Sequence, residues 1–148
     1  KELILTPKYD SYIDTYINED DLPLFQKRKK KSISAKSRAN NQPKFRADVF
    51  NYYQNECAVC RINLFLDAAH IIPIENYGTD NKENGLILCK NHHKAFDDNY
   101  IKINPISLKL EIFKECNKET LRIDKENLNH LRNKPAFKYL KWRYENYK

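Results

Sequence analysis

Six cysteines and histidines, residues able to bind metals or carry protons, fall between Cys57 and Asp97: Cys57, Cys60, His70, Cys89, His92 and His93. Cys57-Ala-Val-Cys60 is matched by Cys89-Lys-Asn-His92. A gap of two residues lets one tight turn present two ligands. Two such pairs complete the tetrahedral Cys3His shell that zinc takes in structural sites. The shell would be closed, so its Zn2+ would hold the fold and do no catalysis. The competing reading is three small buried thiols and a surface histidine. Cys116 stands apart from the pattern.

His70 lies in the run Leu-Asp-Ala-Ala-His-Ile-Ile-Pro. An imidazole near neutral pH can take a proton from water, although a lone His on an apolar strand is also a common core residue. Asp67 is three residues before it, so in a regular strand the two point to opposite faces, and they share one only if a bulge intervenes. His93 and Asp97 are four apart and share one face of a helix. An imidazole and a carboxylate so placed suit Mg2+, Mn2+ or Zn2+, or form an ordinary exposed pair.

The elements that must carry these residues follow from periodicity. Phe45, Val49, Phe50 and Tyr53 repeat at helical spacing and predict a helix over 44–55. The apolar run 63–72 predicts a strand, 73–84 a polar loop, and 86–88 a second strand pairing with the first. From 90 to 97 the pattern is helical. Alternation over 100–103 and 107–113, around Asn104-Pro105, predicts a hairpin. Residues 126–148 read as one or two helices broken near Pro135. Tyr12, Ile13, Tyr16 and Ile17 suggest one more helical face.

Charge separates the chain into two parts. Lys27 to Arg46 holds nine basic residues and no acidic one, against 27 − 9 = 18 basic and 20 acidic elsewhere. The net charge of +7 therefore lives in one stretch. Such a stretch most often meets nucleic acid, because each phosphate neutralised releases counterions; the alternative is a solvated linker. The division expected is an upstream helical segment with a basic linker or arm over 1–43, then a domain over 44–148 that holds both metal-ligand pairs. No run approaches the ~20 apolar residues of a membrane helix, and no secretory signal opens the chain. Cytoplasmic residence is the corresponding expectation, and four cysteines without a secretion signal favour a metal site over disulfides. The lack of any Met suggests a piece of a longer protein.

Taken in order, His70, Asn84 and His93 resemble the HNH endonuclease family, and LDAAHIIP with NGLILCKNHHKAFDD resembles its Ala-His subgroup, which often accompanies restriction modules. The match spans about 44–112, with the final YLKWRYENY as a further candidate stretch, and no part of the first 40 residues contributes to it. The resemblance implies an α+β fold with a ββα-metal core, a structural zinc knuckle and flanking helices. It implies His70 as general base, Asn84 as the residue that fixes the hairpin loop, and His93 with Asp97 as ligands of a catalytic Mg2+ or Mn2+. Many members carry a ligand immediately before the base. Here that residue is Ala69, and Asp67 is the candidate substitute. DNA is the implied partner, with Lys29, Lys30, Lys31, Arg38, Arg46, Arg61, Lys90 and Lys94 as candidate contacts. An upstream recognition domain or a homodimer would complete the assembly. A non-catalytic zinc-stabilised DNA-binding module and an RNA-directed nuclease are the alternatives.

Overall fold

The computed structural model describes residues 19–28, 35–113 and 115–147, with backbone alone for 35–42. The helical face at Tyr12 to Ile17 and the candidates Lys29, Lys30 and Lys31 lie outside the described residues, as does the side chain of Arg38.

The chain opens its core with helix α1 (Ala35–Tyr52), which starts nine residues before the expected position and runs through Pro43. Phe45, Val49 and Tyr52 recur along one side of it and are buried, as is Tyr53 just beyond. Strand β1 (Leu66–His70) then pairs antiparallel with β2 (Gly85–Cys89). The expected first strand is shortened at its start because Phe65 adopts a left-handed φ of 55°. Its pairing is regular, from Leu66 opposite Cys89 to His70 opposite Gly85, with no bulge. Every residue of β2 is buried. That is why its sequence is a continuous apolar run without alternation.

Helix α2 (Lys90–Asp97) follows β2 without a linker. The Cys89 thiol accepts the His92 N–H at its start. The hairpin and this helix form the ββα core. A second hairpin, β3 (Ile101–Ile103) with β4 (Leu110–Ile112), comes next. The short helix α3 (Lys118–Leu121) and the longer α4 (Phe137–Asn146) complete the chain. The expected helix over 126–134 is absent, and that stretch is irregular.

Two glycines permit the close approaches on which the core depends. A Cβ on Gly85 would lie 2.5 Å from Val49 Cγ2 and 2.9 Å from the Phe45 ring, so α1 seats on β2 only with Gly there. A Cβ on Gly78 would lie 1.8 Å from the Ile72 carbonyl oxygen, across the loop between β1 and β2. No helix among the described residues is long and apolar enough to cross a membrane.

Candidate active site and metal centre

Cys57, Cys60, Cys89 and His92 converge, with one ligand atom from each lying within 4.8 Å of the others. The two halves come from the turn after α1 and from the β2–α2 junction. Cys60 Sγ is 3.9 Å from Cys89 Sγ, and His92 Nδ1 is 3.2 Å from Cys89 Sγ and 3.5 Å from Cys57 Sγ. Sulphurs each ~2.3 Å from a tetrahedral zinc lie about 3.8 Å apart, so the donor set fits such an ion. The histidine is also oriented for it. His92 Nε2 lies 2.6 Å from the Leu121 carbonyl. An N–H donated there leaves Nδ1 as the nitrogen facing the thiols. Burial pushes the Cys60 thiol up to about 12 against a hydrogen bond with the Ile62 backbone; a cation among the sulphurs offsets that cost. Cys116 stays outside the cluster.

Asn84 is fully buried at the foot of β2. Its Oδ1 accepts the Ile72 N–H at 2.8 Å, and its Nδ2 donates to Ile72 O at 3.1 Å and Thr79 O at 2.8 Å. The Asn84 carbonyl also accepts the Ile71 N–H at 2.8 Å. One side chain thus ties together both ends of the loop that leaves β1 just after His70.

His70 closes β1 with its side chain 8% exposed. Its ring stacks on Phe45 at 3.8 Å between centroids and 10° between planes. Its Nε2 lies 2.9 Å from Asp80 Oδ1. Asp80 also receives Arg28 Nη2 at 2.7 Å. Partial burial would push the Asp80 carboxyl upward, but the hydrogen bonds from His70 and Arg28 win and hold it well below the usual carboxylate range.

On the other face of β1, Asp67 Oδ2 lies 2.8 Å from His93 Nδ1, and its Oδ1 accepts Lys90 Nζ at 2.6 Å. Asp67 thus reaches α2 without a bulge, from the face it shares with Ala69. His93 Nε2 lies 3.3 Å from Asp97 Oδ2. The two carboxylates therefore sit on opposite nitrogens of one ring, and among the described residues the trio does not gather into a three-ligand cluster. His93 Nε2 and Asp97 fit adjacent positions on one ion, because octahedral ligands ~2.1 Å from Mg2+ are about 3.0 Å apart. Asp67 holds the ring from behind, as carboxylates commonly do for metal-bound histidines. Burial raises the Asp97 carboxyl, while His93 and Arg143 pull it back.

Arg143 of α4 joins the two halves. Its Nη1 donates to Ile71 O at 2.9 Å, its Nη2 donates to Phe96 O, and its guanidinium lies 3.7 Å from the Phe96 ring centroid. It thereby ties the residue after His70 to the residue before Asp97. Among the basic candidates, Arg46 Nη1 donates to Leu66 O at 3.0 Å and covers the Phe50 ring. Arg61 pairs with Glu56 at 2.6 Å and Lys94 with Asp98 at 3.2 Å.

Sequence reasoning missed Asp80, Arg28 and Arg143 as neighbours of the site. Asp80 sits in a polar loop where nothing in the spacing separates it from other loop residues, and in the sequence Arg28 is one of a basic run.

Residues 57–104 match the family model described as HNH endonuclease. That segment contains Asn84, His70, His93, Asp97 and the whole Cys3His cluster. No curated protein matches the chain.

Proposed function

We propose that the chain is a divalent-metal-dependent DNA endonuclease, the nuclease module of a restriction or phage-defence protein. The observation that carries this reading is the placement of His70 at the end of the hairpin whose following helix bears His93 and Asp97, within the matched segment. His70 takes a proton from water, and the water oxygen forms a bond to phosphorus. The bond from phosphorus to the 3′ oxygen breaks in line, leaving a 5′ phosphate and, after protonation, a 3′ hydroxyl. His93 Nε2 and Asp97 would hold Mg2+ or Mn2+, which would supply positive charge against the charge developing on the phosphate and leaving oxygen. Asp67 orients His93. Asn84 orients His70 through the backbone of the loop. Cys57, Cys60, Cys89 and His92 would hold Zn2+, which would pin the turn after α1 to the start of α2.

The basic stretch from Lys27 to Arg46, apart from the buried Arg28, and the exposed Lys90 and Lys94 supply charge for the phosphate backbone. Cutting both strands needs a second site from another copy or a second event. The cytoplasm is the compartment consistent with reduced cysteines.

One observation favours the non-catalytic alternative: Ala69, fully buried beside the base, offers no ligand. The deciding experiment is incubation of supercoiled plasmid, and separately of RNA, with Mg2+, Mn2+ or neither. Metal-dependent nicking of plasmid is expected. Cutting confined to RNA would overturn the substrate, and retention of DNA without cutting by a zinc-loaded protein would favour the binding module.

A further inference from the structure

The matched segment does not by itself complete the surroundings of His70. Asp80 is inside it, but Asp80 is held from outside, by residues 25–28. Arg28 Nη2 donates to Asp80 Oδ1 at 2.7 Å and to Gly78 O at 2.8 Å. Gln26 Nε2 donates to Asp80 Oδ2 at 3.2 Å, and the Asp80 N–H donates to Gln26 Oε1 at 2.8 Å. The Gln26 N–H donates to Tyr77 O at 2.8 Å, and Phe25 forms a β-bridge with Gly78. The Arg28 side chain is only 2% exposed. A buried guanidinium needs its partner, and a half-buried carboxylate gains from its donors.

We propose that Asp80 is a positioning residue for His70, and that residues 25–28 belong to the active site because they hold Asp80 in place. The inference rests on the nuclease reading. An ionised carboxylate only accepts hydrogen bonds. The proton between the two residues is therefore on His70 Nε2, and the neutral ring has its lone pair on Nδ1. Among the described residues Nδ1 has no protein partner, and it is not one of the polar atoms sealed from solvent without a partner. Stacking on Phe45 fixes the plane of the ring. Nδ1 is then the atom that receives the proton from water. The Asp80 charge stabilises the imidazolium so formed, as a buried carboxylate does for a catalytic histidine elsewhere.

The test uses the whole chain with three readouts: the single-turnover rate on plasmid, DNA affinity, and the 15N NMR tautomer of His70. An amide at residue 80 can offer its own N–H to Nε2 and so admit the other tautomer. Asp80→Asn is expected to lower the rate about 10- to 100-fold, leave DNA affinity within about twofold, and mix the tautomers. Two results would overturn the proposal alone: a parental rate in Asp80→Asn while His70→Ala is dead, or a His70 Nδ1–H tautomer in the parent. The tautomer measurement needs no variant, so it decides even if Asp80→Asn fails to fold. A parental rate in His70→Ala would overturn the nuclease base itself, and this role with it.

Discussion

Asn84 and Ile72 exchange two hydrogen bonds, with Asn84 Oδ1 accepting the Ile72 N–H and Asn84 Nδ2 donating to the Ile72 carbonyl. A side chain here does the work of a backbone ladder at a place where β1 has already ended. Asn84→Ala would leave the Ile72 N–H and the Ile72 and Thr79 carbonyls without partners. Each buried group left so costs about 1–3 kcal/mol, and partial relaxation brings the expected total to about 2–4 kcal/mol. Urea denaturation measures it, and a loss under about 0.5 kcal/mol would show that water replaces the amide without difficulty.

Gly85→Ala places a methyl group against Val49 and Phe45. Overpacking of this kind costs about 1–3 kcal/mol. Because Phe45 is also the ring beneath His70, cleavage should fall along with stability. Unchanged thermal unfolding in this variant would mean that α1 shifts freely over β2.

The metal centre makes a separate claim. Purified protein is expected to carry about one zinc per chain, held tightly as closed thiolate shells are. Cys89→Ser should lose the ion and the stability the ion supplies, while serine can still accept the His92 N–H at the start of α2. Elemental analysis alongside circular dichroism checks both. A metal-free chain with a normal melting transition would contradict the assignment.

The acid side of the stability profile should report Asp80. Its folded pKa lies below the unfolded value. Its contribution is therefore fully present above an unfolded value of about 3.9 and is lost as pH falls through the folded pKa. Denaturation midpoints followed from pH 6 downward should decline less steeply in Asp80→Asn than in the parent. Identical slopes would show that the Arg28–Asp80–His70 contact contributes no such linkage.

The parts of this site that were legible in the sequence are those fixed by local geometry. The Cys57-x-x-Cys60 and Cys89-x-x-His92 spacings encode turn chemistry, and the structure brings all four together. His93 and Asp97 are neighbours because a helix makes them so. The rule of strand alternation correctly separates Asp67 from His70, yet it says nothing about what each face meets. The contact of Asp67 with His93 is tertiary and needed the packing of α2. The expected division falls at 43, where proline removes a helix hydrogen bond, but α1 runs through it. The stretch 126–134 has a helix-compatible composition. Asn127 instead bonds to nearby backbone, its Oδ1 accepting the Asn129 N–H at 2.9 Å, and such bonds compete with helix.

The most direct measurement is cleavage of supercoiled plasmid by His70→Ala beside the parent, in Mg2+ and in Mn2+, with zinc content and DNA affinity measured on the same preparations. Cutting by the parent and none by the variant, at equal zinc content and equal affinity, is the expected result. Equal cutting by both would contradict the central claim that His70 activates the attacking water.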